Sequence, residues 1–211
     1  DELNTIADGE SEVVNTAAIA RRVMSLAPED AIVCIDGGQT MQWAYSFYNP
    51  DSPYKLLHNP GMGHLGTGQP FANGAKLARH DQPVILITGD GGLGCTMQEF
   101  ETAARNGLKT ITVVCNDSHW GMYRPFAELF ENPELGTQLT DLNFAQAAEA
   151  MGCFGRRVET LDELETAIKE AMVANRPSVI DIRTEFTPHP IDEYWPTVVL
   201  QGADFPAALA E

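Results

Sequence analysis

No stretch of this sequence approaches the roughly 20 consecutive apolar residues that a membrane-spanning helix needs. Nor does the N-terminus, Asp1-Glu2-Leu3-Asn4, have the basic flank and apolar centre of a secretory signal peptide. It also lacks an initiator Met, which reads either as a processed chain or as a piece of a longer polypeptide. Positive charge is scarce. Thirteen basic residues, only four of them Lys, stand against 30 acidic ones, for a net charge of −17. Such a balance argues against nucleic acid or an anionic membrane as partner. It reads first as a solvated acidic surface, with a salt-adapted host as the other reading. Cysteine is sparse too: Cys34, Cys95, Cys115 and Cys153 form neither a C-x-x-C pair nor a zinc spacing. Free thiols of this kind suit a reducing compartment, so the expected location is the cytoplasm. Cys95 stands apart because it lies in a glycine-rich turn.

The 211 residues are 44% apolar and 20% charged, as in an ordinary globular protein. Hydrophobic periodicity predicts helices over 13–27, 41–47, 70–79, 95–106, 143–151 and 161–174. Short, nearly continuous apolar runs predict strands over 31–35, 56–58, 84–88, 110–115, 153–158 and 178–183. No repeat or low-complexity tract interrupts the alternation. It implies an α/β fold, a doubly wound parallel sheet with helices on both faces. Residues 1–12 read as an acidic tail or linker, 13–183 as one domain, and 184–211, with four prolines, as a C-terminal tail. Ligands in such sheets bind beyond the carboxyl ends of the strands. Four of those ends carry Gly-rich or acidic loops: 36–40, 59–68, 89–94 and 116–121.

The most informative of them is Gly89-Asp90-Gly91-Gly92-Leu93-Gly94, between an apolar strand and a helical segment. Glycines at such a turn let backbone N–H groups close on a phosphate. The formal match to G-x-G-x-x-G, with Asp117 as a ribose-binding acid, would suit a nicotinamide or flavin dinucleotide. Three features oppose that reading. The turn follows the third strand rather than the first, Asp90 would repel a pyrophosphate, and the 36–40 and 59–68 loops would have no role. A divalent cation between carboxylate and phosphate removes the repulsion, and the metal reading uses every piece. Asp117 lies 27 residues after Asp90, one turn, one helix and one strand later, which returns the chain to the same sheet edge. Two hard oxygen ligands there suit Mg²⁺, which takes its other ligands from phosphate and water.

These residues resemble the diphosphate-binding domain of thiamine-diphosphate-dependent enzymes, in the group containing acetolactate synthase and benzoylformate decarboxylase. The family signature is Gly-Asp-Gly followed, after a helix and a strand, by Asn-Asn or a variant; here it is Gly89-Asp90-Gly91 and Asn116-Asp117. Supporting segments are the Asp-x-Gly-Gln-type loop at 36–39, Gly-x-Leu-Gly-x-Gly-x-Pro at 63–70, Met97-Gln98-Glu99-Phe100, and Trp120-Gly121-Met122. The likeness covers about residues 13–183 and implies the thiamine-diphosphate-binding fold, with thiamine diphosphate and Mg²⁺ as cofactors.

The resemblance also implies roles. Asp90 and Asp117 become metal ligands, with the His119 carbonyl as the third; Asn116 is the secondary candidate if the loop is shifted by one. Asp117 stands where the family usually has Asn, which should tighten the metal and weaken attraction for the diphosphate. Gly38 and Gln39 should meet the phosphates with Gly89, Gly91 and Gly92, and Trp120-Gly121-Met122 should close the other side. Gly92 replaces a small hydroxyl residue and offers only its N–H. Leu65 matches the apolar wedge that bends the cofactor, and the Gly63 carbonyl matches the acceptor of its 4′-amino group. The family's glutamate partner of N1′ belongs to a pyrimidine-binding domain that this sequence does not contain. It is expected on a partner subunit of a dimer or tetramer, or on a missing part of the polypeptide. The implied reaction is decarboxylation or carboligation of a small 2-oxo acid. A non-catalytic thiamine-diphosphate-binding module is the alternative. His64 and His119 could serve in acid–base steps or simply be loop residues, and Glu99 and Glu101 suit a helix N-terminus. Tyr194 and Trp195 either pack on a neighbouring subunit or cover the site.

Overall fold

The computed structural model describes residues 2–9, 11–59, 61, 63–125 and 136–194. Pro60 and Met62 of the 59–68 loop, and Trp195 with the rest of the C-terminal segment, lie outside the described residues. Six parallel strands form one sheet in the order β2-β1-β3-β4-β6-β5: β1 (Ile32–Ile35), β2 (Leu56–Leu57), β3 (Val84–Gly89), β4 (Thr110–Asn116), β5 (Phe154–Val158) and β6 (Ser178–Arg183). Their apolar residues alternate between two cores. Val33, Ile35, Ile85, Ile87, Ile111 and Val113 face one side. There they pack against α2 (Thr16–Leu26), α3 (Gln39–Phe47) and α8 (Leu161–Val173). Ile32, Cys34 and Leu86 face the other side and meet Ala72 and Ala75 of α4 (Gly68–Ala78). Val114 and Val179 continue that side onto Leu93 of α5 (Asp90–Gly94), Phe100 of α6 (Glu99–Arg105) and Phe144 of α7 (Phe144–Ala150). This is the doubly wound α/β sandwich, with strands buried on both faces as their unbroken apolar runs require.

The strand order reverses direction beside β1. From β1 the chain crosses to β2 at the edge, then returns to place β3 on the other flank of β1. The crevice between the carboxyl ends of β1 and β3 is thus a topological switch point, where such sheets bind ligands. Parallel register puts Gly89 opposite Cys115, so Asp90 and Asn116 leave adjacent strands at nearly the same height.

Three boundaries differ from the sequence reading, each for a local reason. Residues 2–7 of the expected acidic tail form a helix, α1 (Glu2–Ala7), whose Leu3 and Ile6 pack on the core and whose Ala7 is buried. The segment after β6 is no loose tail as far as it is described. Thr184, Thr187 and Asp192 are buried, and the Thr187 carbonyl accepts from both the Trp43 indole and the Gln39 amide. The single helix expected over 95–106 is two, because helical geometry begins at Asp90, breaks after Gly94 and resumes at Glu99. Among the described residues, no helix is long and apolar enough to cross a membrane.

Candidate functional site

The end of β1 is organised by Asp36. Its carboxylate is fully buried and accepts from the N–H groups of Gly37 (2.8 Å), Gly66 (3.1 Å) and Gly68 (3.3 Å). Burial raises its pKa, and those N–H groups work against the shift. The result staples the 63–68 loop across the end of β1. It also sets Leu65 over Gly37, where a Cβ would meet the Leu65 side chain at 2.8 Å. Sequence reasoning named Asp36 only as the start of a loop. Its position directly after a buried strand at the switch point was the available signal.

At the end of β3 the chain turns straight into α5, so Asp90 occupies the first helical position. One carboxylate oxygen accepts from the Gly91 N–H at 2.7 Å, while the buried Oδ2 has no hydrogen-bond partner among the described residues. Burial, reinforced by the neighbouring Asp117 charge, pushes the Asp90 carboxyl up to about 7. Asp117 follows the end of β4; burial raises its pKa as well, opposed by the His119 N–H and ring and by Arg124. The His119 N–H donates to Asp117 Oδ1 at 3.0 Å, and its ring nitrogen Nδ1 lies 2.7 Å from the Asp117 carbonyl. Two carboxylates that burial renders reluctant to ionise, one with an unused oxygen, are the electrostatic mark of a cation site. No cluster of three His, Cys, Asp or Glu side chains stands among the described residues. A cation here would therefore rely on backbone and ligand oxygens beyond the carboxylate pair, which is how Mg²⁺ is usually held.

One cavity gathers almost every residue singled out from the sequence: Gly38, Gln39, Gly63, Leu65, Gly89, Asp90, Gly91, Gly92, Asp117, His119, Trp120, Gly121 and Met122. Thr40 of the 36–40 loop also lines it, as do Thr16, Cys115 and Thr184, which were missed because nothing in their local sequence marks them. Gly38 caps α3 with φ +89°, a backbone that favours glycine, and turns the uncapped start of that helix toward the cavity. Gly91 lies under the Trp120 ring so closely that a Cβ would come within 2.6 Å of it. Glycine at 38 leaves bare backbone at the start of α3, and glycine at 91 lets the Trp120 ring close over the turn after β3. The residues present therefore fit a metal-bridged diphosphate.

Other expectations resolve differently. The structure does not bring Asn116 to the cavity: its amide donates to the Leu142 carbonyl (2.9 Å) and to Asp181 Oδ1 (3.0 Å). Nor does the Gln39 side chain turn inward, since its amide donates to the Thr187 carbonyl (2.8 Å) and to Asp192 (3.3 Å). Only the backbone of Gln39 remains available to a phosphate. His64 is exposed and outside the cavity. Glu101 pairs with Arg105 at 2.9 Å on the outer face of α6, and Glu99 is half-buried there and does not line the cavity. Cys34, Cys115 and Cys153 are buried free thiols, whereas Cys95 is exposed. Tyr194 is exposed as well.

Residues 36–182 match the family model for the thiamine pyrophosphate enzyme C-terminal TPP binding domain. The acetolactate synthase large subunit of Haemophilus influenzae is 31% identical over 185 residues, covering 86% of this chain and 32% of that protein. The acetolactate synthase large subunit of Corynebacterium glutamicum is 36% identical over 159 residues, 72% of this chain and 25% of that protein. Among solved structures, the thiamine diphosphate-dependent 4-hydroxybenzoylformate decarboxylase of Rhodococcus jostii RHA1 superposes with a TM-score of 0.78 at 28% identity. That superposition covers 84% of this chain and 34% of the decarboxylase. The chain thus spans about a third or less of the length of these relatives. It belongs to the thiamine-pyrophosphate-dependent enzyme family, whose membership implies thiamine diphosphate and Mg²⁺ as cofactors, and it carries that family's C-terminal cofactor-binding domain.

Proposed function

We propose that this chain holds the diphosphate and Mg²⁺ of thiamine diphosphate in an enzyme that decarboxylates a small 2-oxo acid or joins it to a second carbonyl compound. The observation that carries the reading is the buried Oδ2 of Asp90, without a hydrogen-bond partner among the described residues, beside the Asp117 carboxylate in a cavity walled by glycine backbone. Asp90 and Asp117 would hold the metal through their carboxylates, and His119 through its carbonyl. The N–H groups of Gly38, Gln39 and Gly92 would bind the phosphate oxygens the metal leaves open, with the start of α3 favouring the anion, while the Gly91 N–H stays on the Asp90 carboxylate. Gly89, Trp120, Gly121 and Met122 line the cavity and would shield a bound diphosphate from water. The Gly63 carbonyl would accept from the 4′-amino group and so hold that proton in place. Leu65, propped on Gly37, would press the two rings into a bent arrangement. When bound, thiamine diphosphate supplies the electron sink that accepts negative charge as CO₂ leaves.

The aminopyrimidine ring would need a second domain, and the match to only a third of the relatives' length supports that division. It would sit on a partner subunit or elsewhere in the polypeptide. Nothing favours the dinucleotide reading or a module that binds without catalysis. The test is turnover: combined with its pyrimidine-binding domain, the protein should release CO₂ from pyruvate or benzoylformate only when Mg²⁺ and thiamine diphosphate are both present. Cofactor binding with no turnover of any 2-oxo acid would leave the non-catalytic module as the answer. A second assay probes Leu65: Leu65→Ala should lower kcat at least about tenfold while changing cofactor affinity much less, because the wedge acts on conformation rather than on the diphosphate.

A further inference from the structure

We infer that Asn116 and Asp181, with Ser118 and Arg183, form a positioning network that fixes the Asp117–Ser118–His119 turn in its metal-holding conformation; the inference rests on the magnesium reading above. Ser118, at φ +60°, is the only non-glycine residue with positive φ among the described residues. Such a conformation persists in an L-residue only where its surroundings over-determine it, and it clusters at functional sites. Here the surroundings are specific. The Ser118 hydroxyl donates to Asn116 Oδ1 and accepts from the Arg183 guanidinium, each at 3.4 Å. The Ser118 carbonyl accepts from the Leu139 N–H at 2.7 Å, and the Trp120 N–H donates to the Thr137 carbonyl at 2.7 Å.

Asn116 cannot rotate to follow the turn, because its amide is engaged from both sides. It donates to Leu142 and Asp181, and Asp181 is itself fully buried, with its second oxygen accepting from the Phe144 N–H at 2.9 Å. Arg183 is held in turn by Asp141 at 2.7 Å, which also pairs with Arg157 at 2.6 Å. The backbone is thus pinned on both sides of Asp117: at Asn116, the last residue of β4, and at Ser118. The position of the Asp117 carboxylate, whose charge acts on Asp90, is thereby restricted. Residues of this kind act through the ligands they orient, and their loss typically lowers metal affinity about 10–100-fold.

The test reads Mn²⁺ binding by electron paramagnetic resonance in the intact protein with thiamine diphosphate present, beside thermal unfolding without metal. Asn116→Ala should weaken Mn²⁺ by about 10–100-fold. Ser118→Gly separates positioning from stability. Glycine adopts φ +60° without strain, so the unfolding temperature should hold or rise, yet Mn²⁺ should bind at least about tenfold more weakly once the hydroxyl bridge is cut. A merely structural network would show the reverse: altered melting with wild-type Mn²⁺ affinity in both variants. That result overturns the inference, and Ser118→Gly decides alone if Asn116→Ala does not fold. A wild-type protein that takes up no Mn²⁺ overturns the magnesium reading itself.

Discussion

Asp90 sits where burial and a neighbouring carboxylate make its negative charge costly, and that cost has a measurable sign. Its carboxyl titrates near 7 in the folded protein against an ordinary value of 3.8, so the folded state binds the proton more tightly. The contribution of this carboxyl to the stability of the metal-free protein should therefore be fully present below about pH 4 and lost as pH rises through about 7. Asp90→Asn should remove most of this slope, raising metal-free stability near pH 8 by about 1–3 kcal/mol while abolishing metal binding. Urea denaturation in EDTA at pH 5 and pH 8 checks it; a wild-type protein that gains stability toward pH 8 contradicts it. Single residues were also the most legible feature of the sequence. Asp90, Asp117, Gly91 and Leu65 carry their signal in local patterns, and the structure gathers them around one cavity. Asn116 and Gln39 show the limit of such patterns: both are in the right segment, yet their amides are drawn away by Asp181 and Thr187, partners 65 and 148 residues distant in sequence.

Among the elements, strands and helices were legible because each strand is a short apolar run buried on both faces, and because the helices carry ordinary start signals. Thr160 and Glu163, for example, form a reciprocal capping box at the start of α8. Thr160→Ala should cost about 1 kcal/mol of stability, in the denaturant midpoint, and leave cofactor affinity unchanged, since neither Thr160 nor Glu163 lines the cavity. The contacts between elements were not legible. No sequence pattern announces that Trp120 lies on Gly91, or that Phe186 packs on Gly121 with the Arg124 guanidinium 4.5 Å from its ring. These contacts tie the 120–124 segment to both α5 and the strap after β6. Gly91→Ala should push the Trp120 ring aside, shifting its fluorescence, costing about 1–3 kcal/mol and weakening thiamine diphosphate binding. Unchanged fluorescence and affinity would mean that the Gly91–Trp120 contact has no part in the site.

At the scale of the whole molecule, a net charge of −17 surrounds a site that must accept an anionic cofactor. The same field attracts Mg²⁺ and repels the diphosphate, and salt screens both over about 10 Å at 0.1 M. Raising ionic strength at saturating Mg²⁺ should therefore tighten thiamine diphosphate rather than weaken it; a basic cofactor site would respond the other way. The domain architecture follows the same logic of an incomplete site. On the proposed reading, the sheet would supply the diphosphate end at one switch point, and a second domain would take the aminopyrimidine end. The most direct test of the central claim is calorimetric titration of the protein with thiamine diphosphate, with and without Mg²⁺, repeated in Asp90→Ala. Binding that requires Mg²⁺ in the wild type and disappears in the variant is the predicted result. Equal binding by both proteins, or binding indifferent to the metal, would contradict it.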